Sequence, residues 1–269
     1  MKLPDVQSLE PSYQLPIEKV GIKNLRYPIK VLDRVRGFQA TVGEFNLYVD
    51  LPSHFKGTHM SRFIEVLNEF KEEIHVKNIN EILKKLKKRL NAKSAHLEVY
   101  FPYFIEKKAP ITGIPSLMEY QAFMIASLSK RKTDLILGVK VPVMTLCPCS
   151  KSISEYGAHN QRGIVTVAIR SKKFIWLEEL IEIAEESASS PVYPLLKRPD
   201  EKYVTERAYE NPKFVEDVVR GVASKLLKRK EIYWFTVEAE NMESIHGHNA
   251  YACITYPFKD YSSESSISK

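Results

Sequence analysis

Two thiols and an imidazole stand in one polar stretch of the chain, Thr145-Leu-Cys-Pro-Cys-Ser-Lys-Ser-Ile-Ser-Glu-Tyr-Gly-Ala-His-Asn-Gln-Arg-Gly163. An apolar, strand-like run ends at Leu146, so Cys147 and His159 are delivered just past a strand end, where a scaffold holds them rigidly. A thiolate and an imidazole are good ligands for zinc or a related divalent ion. A closed structural site usually takes four protein ligands, whereas fewer, with a position left open, mark a catalytic metal. Cys-Pro-Cys lacks the two-residue spacing of a zinc knuckle, which leaves Cys149 as a free thiol beside the metal, suited to a supporting or acid/base role. The competing readings are a small structural metal clip, or two small residues buried in a turn.

Two further loops carry groups that could complete such a site. Glu240-Asn-Met-Glu243-Ser-Ile-His246-Gly-His248 joins two strand patterns, and two histidines with a carboxylate are poor turn chemistry. Metal ligation, proton transfer or ring stacking would each explain them, with a solvated loop as the plain alternative. Asp200, Glu201 and Glu206 offer hard oxygen ligands that, taken alone, look like any surface acids. Glu216 lies beside an apolar stripe of Val215, Val218 and Val222, and a carboxylate at the edge of a buried stripe needs a partner. A ligand edge with two adjacent donors, such as that of guanine, would satisfy it; a neighbouring Arg or Lys is the commoner partner. His54 and His59 read as surface polar groups before the first helix.

These loops need a scaffold, and the periodicity supplies one. Residues 1 to about 25, with four prolines counting Pro28, read as an irregular arm. Alternation marks strands at Ile29 to Arg36 and Phe38 to Leu51, with Gly37 as the tight turn between them. Helices are expected over Ser61 to Glu73 and Ile79 to Leu90, then strands along Leu97 to Ile105 and Met118 to Ser129. The same order returns: strands Asp134 to Thr145 and Gly163 to Arg170, then helix Phe174 to Glu186. A longer helix runs from Pro212 to about Arg229, capped by Asn211, before strands Ile232 to Glu238 and Asn249 to Tyr256. The expectation is an α+β fold of two tandem ββααββ modules, residues 1–131 and 132–269, meeting near Arg131 in the turn Lys130-Arg-Lys-Thr133. Each has an antiparallel sheet with helices on one face. Three joints of the second module are expanded, Leu146–Arg162, Ser187–Asn211 and Glu240–His248, and long loops on a compact scaffold usually carry function.

Bulk composition narrows the classes. The 269 residues are 44% hydrophobic and 27% charged, as in a soluble globular protein. No apolar run approaches a membrane span and the N-terminus has no apolar leader, so the expected place is the cytoplasm, away from membranes. Three cysteines, two of them separated by a single residue, argue for reduced thiols. The net charge of +7 would suit nucleic acid, an anionic membrane or an acidic small molecule. Much of it sits in Lys84, Lys85, Lys87, Lys88 and Arg89, opposite an apolar stripe; this run contains no aromatic, which favours a solvated helix face over a nucleic-acid surface.

The motifs Thr145-Leu-Cys-Pro-Cys-Ser-Lys151, Gly157-Ala-His-Asn-Gln-Arg162 and Glu243-Ser-Ile-His-Gly-His-Asn-Ala-Tyr-Ala252 resemble those of the type IB GTP cyclohydrolase family. So do Lys56-Gly-Thr-His-Met-Ser-Arg-Phe63, Ser190-Pro-Val-Tyr-Pro-Leu-Leu-Lys-Arg-Pro-Asp-Glu-Lys202 and Phe214-Val-Glu-Asp217, so the likeness covers nearly the whole chain. The resemblance implies a tunnelling fold with two modules per chain and a homotetramer. It also implies an enzyme that takes GTP and water to formate and 7,8-dihydroneopterin triphosphate, the first step of folate and pterin biosynthesis. Cys147, His159 and Glu201 would hold the divalent metal (zinc, manganese or iron(II)), with water in the open position. Cys149, His246, His248 and Glu243 would surround the reacting ring, Glu216 would anchor the guanine edge, and Arg162 and Lys151 would meet the triphosphate. Three alternatives stay open at this level: a relative that stops at a cyclic phosphate, the nitrile reductase of the same fold, and a basic nucleic-acid-binding protein stapled by a metal.

Overall fold

The computed structural model describes residues 6–70, 73–130 and 132–258. Its strands are β1 (Ile17–Asp33), β2 (Gly37–Leu51), β3 (Ser94–Lys108), β4 (Pro115–Ser129), β5 (Lys132–Leu146), β6 (Asn160–Ser171), β7 (Ser190–Pro191), β8 (Ile232–Asn241) and β9 (Ala250–Tyr256). Its helices are α1 (Ser61–Asn68), α2 (Ile79–Arg89), α3 (Pro148–Ile153), α4 (Leu177–Glu185), α5 (Arg198–Glu210) and α6 (Val215–Leu227). This is an α+β fold built on a large antiparallel sheet. Two compact units divide it: residues up to Pro102 with Ala122–Leu137, and Tyr103–Gln121 with everything from Gly138 onward. Strands β3, β4 and β5 pass from one unit into the other. The module boundary expected near Arg131 falls on a residue outside the described ones. No described helix is long and apolar enough to cross a membrane.

In the first unit the strand order is β1-β2-β3-β4-β5. Alternation along β2 and β3 buries Phe45, Leu47 and Val49 with Leu97 and Val99, while α1 buries Phe63, Val66 and Leu67 and α2 buries Ile79, Ile82, Leu83 and Leu86. Each such side chain contributes on the order of 1.5–3 kcal/mol. The opposite face of α2 is solvated and partly ion-paired, Lys85 to Glu69 at 2.9 Å and Arg89 to Glu65 at 2.7 Å, as the basic run suggested. Gly37, at φ +79, opens β2, and the Asp33 carboxylate holds the turn by accepting the Val35 and Arg36 N–H groups.

The N-terminal arm is shorter than its prolines suggested. β1 already begins at Ile17, and Pro28 lies inside it opposite Val42. β1 ends the strand order, and the edge of a sheet is where a proline within a strand is tolerated. Helix α1 likewise ends at Asn68, short of Phe70.

The second unit has strand order β3-β4-β5-β6-β8-β9, with β7 against β5. Val165, Val167 and Ile169 of β6 and Phe235, Val237 and Ala239 of β8 are buried, and α6 packs on β8 and β9 through Val215, Val218, Val219 and Val222. Two of the expanded joints contain helices that periodicity did not reveal, α3 and α5. The long helix starts at Val215, not at Pro212, because the Asp217 carboxylate accepts the Phe214 N–H at 3.0 Å and fixes the first turn there. Asn211 instead ends α5 and donates its side-chain amide to the carbonyls of Ala188 and Ser189.

Candidate active site

The Cys147–His159 loop is closed by its own hydrogen bonds. Pro148 at the first turn of α3 leaves Cys147 as the N-cap, with its Sγ accepting from the Ser150 N–H at 3.4 Å. The Ser150 hydroxyl bridges the two ends, donating to the Cys147 carbonyl at 3.2 Å and accepting from the His159 N–H at 3.2 Å. The Cys147 N–H in turn donates to the His159 carbonyl at 3.1 Å. The backbones of Cys147 and His159, twelve positions apart in sequence, are thus held together through the Ser150 hydroxyl and by a direct N–H to carbonyl bond.

The His159 ring is oriented by a side chain the sequence reading did not single out. Nδ1 lies 3.0 Å from Oε1 of Gln161, and the Ser244 hydroxyl lies 3.3 Å from the same nitrogen. An amide oxygen only accepts, so Nδ1 is the donor in this contact, which leaves Nε2 as the nitrogen that could bind a metal. Gln161 is 7% exposed, and its Nε2 donates to the Glu243 carboxylate at 3.2 Å. One residue therefore joins the cysteine–histidine loop to the histidine-rich loop. Gln161 lay inside a motif already noted, but an amide does not titrate, so a search for acids, bases and nucleophiles passes over it.

Other expected site residues are placed less closely. His246 and His248 are exposed and stack on each other, with ring centroids 5.2 Å apart. Cys149 is exposed. Glu216, in the first turn of α6, is exposed and makes no hydrogen bond or ion pair among the described residues, so its carboxylate is available to a ligand. Arg162 is exposed on β6, and its carbonyl accepts the Met242 N–H at 2.9 Å. Lys151 is engaged: its ammonium donates to the Tyr209 carbonyl at 2.5 Å and lies 4.3 Å from the centre of the Tyr209 ring. One of its three donors is occupied there, and two remain for an anion.

Glu201 is exposed on the first turn of α5, and among the described residues no three His, Cys, Asp or Glu side chains gather as a metal cluster. Its neighbour Asp200 has a different role from the ligand-like acid the sequence suggested. Asp200 is fully buried, and its carboxylate accepts from the Ile111 and Thr112 N–H groups at 2.8 and 2.9 Å, the Thr112 hydroxyl at 2.8 Å and the Lys197 N–H at 2.9 Å. Burial pushes its pKa up, but the four donors outweigh this and hold it at about 2. Asp200 thus both caps α5 and ties it to the β3–β4 hairpin.

A second tie holds the start of the same joint. Lys107 of β3 donates to Glu185 at 2.6 Å and to the Val192 carbonyl at 2.7 Å, and the Tyr120 hydroxyl donates to the same Glu185 oxygen at 2.7 Å. Burial lowers the Lys107 pKa against the pull of Glu185, and burial together with that carboxylate raises Tyr120. We expect Asp200→Ala, which strands these buried donors, to lower Tm by about 4 °C or more. Thermal unfolding checks it; an unchanged Tm would show that the clamp contributes little.

Comparison with known proteins sets this geometry in a family. A family model described as type I GTP cyclohydrolase folE2 matches residues 3–252. The chain is 59% identical over 250 residues to GTP cyclohydrolase FolE2 of Geotalea uraniireducens (strain Rf4), covering 93% of this chain and 92% of that one. It is 56% identical over 250 residues to GTP cyclohydrolase FolE2 of Thermosipho africanus (strain TCF52B), covering 93% and 96%. The family that matches is thus FolE2, in place of the type IB family that the motifs resemble. Among solved structures, the uricase of Arthrobacter globiformis superposes with a TM-score of 0.54 at 8% identity, over 92% of this chain and 95% of that one, a likeness of fold alone.

Proposed function

This chain belongs to the type I GTP cyclohydrolase FolE2 family, and from that premise we propose how its residues open the guanine ring of GTP. It is a GTP cyclohydrolase of the folate pathway. The observation that carries the site reading is the closed loop in which Cys147 and His159 are neighbours and the His159 Nδ1 is already engaged. A thiolate and a bare Nε2 fit a divalent metal, with Glu201 as the third, hard donor from the first turn of α5. A soft sulfur with nitrogen and oxygen suits zinc, manganese or iron(II). Once held there, such an ion supplies Lewis acidity and a water that ionises near neutral pH.

The chain's own residues do the rest. Glu216 accepts the two adjacent donors of the guanine edge, N1–H and the 2-amino group, and so orients C8 toward the Cys147–His159 loop. His246 and His248 donate protons to the departing ring nitrogen, with Glu243 and Cys149 as neighbouring acid/base groups. Arg162 and the free donors of Lys151 meet the triphosphate.

The repeated element order supports two tandem tunnelling-fold modules, residues 1–131 and 132–269. β1 and β9 end the strand order, and assembly as a homotetramer would cover such open edges. Light scattering on the purified protein tests the assembly; a monomer would overturn it. Product analysis tests the chemistry: incubation with GTP should release formate with a pterin that keeps all three phosphates by mass. A cyclic phosphate product would overturn the linear-triphosphate reading.

A further inference from the structure

We propose that Gln161 is a positioning residue, coupling the imidazole of His159 to the carboxylate of Glu243 so that the metal-binding loop and the histidine-rich loop are set by one side chain. The inference rests on the reading of Cys147 and His159 as metal ligands. Three features carry it. The amide is nearly buried, at 7% exposed, so its orientation is held by its surroundings and not by water. Each of its ends meets a group of opposite hydrogen-bonding sense, Oε1 on His159 Nδ1 at 3.0 Å and Nε2 on Glu243 Oε1 at 3.2 Å. The backbone on the far side of the contact is tied as well, since the Met242 N–H donates to the Arg162 carbonyl at 2.9 Å. Glutamine alone among the similar-sized side chains has both an acceptor for the imidazole N–H and a donor for the carboxylate. Reversing the amide would oppose donor to donor and acceptor to acceptor, so the pair of contacts selects one tautomer of His159.

Two substitutions separate the ends. Gln161→Met keeps the length and removes both contacts; metal affinity, measured by competition with a chromophoric chelator, should fall about 10–100-fold, the usual effect of losing the partner of a ligating histidine. Gln161→Glu keeps an acceptor for His159 Nδ1–H but sets a carboxylate against Glu243. Its metal affinity should stay within about 3-fold of wild type while kcat with saturating metal falls at least about 10-fold. Cobalt-substituted protein adds a readout independent of turnover: the ligand-field bands should shift in Gln161→Met and not in Gln161→Glu. A merely structural glutamine would lower Tm in both variants without dividing them in this way, and that result overturns the proposal. So does a folded Gln161→Met with wild-type metal affinity. Loss of metal in Cys147→Ala distinguishes a failure of this inference from a failure of the ligand reading beneath it.

Discussion

Cys147→Ala should abolish metal binding while leaving the chain folded. Cys147 is half-buried at a loop end outside the apolar core, so its truncation leaves little cavity, and Tm should change by no more than about 4 °C. Metal affinity should fall at least about 100-fold, because on the proposed ligand set the change removes one of three protein ligands, which costs more than removing a supporting contact. Turnover of GTP should fall on the order of 1000-fold or more, since a water whose pKa returns toward about 15.7 is not ionised at neutral pH. Metal content of the gel-filtered protein checks the first part and formate release the second. Full metal occupancy in the variant would contradict the ligand assignment.

Glu216→Ala should have the opposite profile, with metal retained and GTP lost. The carboxylate is exposed in the first turn of α6 with no partner among the described residues, so its removal costs the fold little. In the complex it would accept two donors at once, and a site built around such a pair loses about 10²–10⁴-fold in kcat/KM without it. Glu216→Gln should recover little, because one end of the amide then presents a donor to a donor. Inosine triphosphate, which lacks the 2-amino group, sharpens the comparison: wild type should prefer GTP, and Glu216→Ala should lose that preference. A variant that keeps the preference would place the guanine edge elsewhere.

Most of the strands and the cysteine–histidine segment were legible in the sequence because their signals are local; the first half of β1 and the short β7 were not. Alternation along Phe45, Leu47 and Val49 or Val165, Val167 and Ile169 is visible within a few residues, and so is the thiol–imidazole spacing. Helix α5 was not legible, since Val204 and Ala208 are its only buried apolar side chains and give no sustained stripe. Its start was marked in another way, by Pro199 in the first turn and Asp200 placed to reach back to Lys197. The burial of Asp200 could not be read at all, because three of its four donors come from Ile111 and Thr112, 89 and 88 positions away. Pro28 misled for a related reason: whether a proline breaks a strand depends on whether that strand has a neighbour on the proline's side, and this is a property of the whole sheet.

The same division runs through the site. Candidates with titratable or nucleophilic side chains could be put forward from their types alone, whereas the amide that joins His159 to Glu243 is visible only from its contacts. Glu201 and Asp200, adjacent in sequence and alike in chemistry, differ completely in surroundings. One is exposed and the other is enclosed by four donors.

The most direct measurement is GTP turnover by metal-stripped protein before and after a divalent metal is restored. Formate and, after oxidation, pterin fluorescence should be absent from the stripped sample and return with zinc, manganese or iron(II) in wild type but not in Cys147→Ala. Turnover that is indifferent to metal, or equal in the two proteins, would contradict the central claim that the Cys147–His159 loop is the metal centre of this GTP cyclohydrolase.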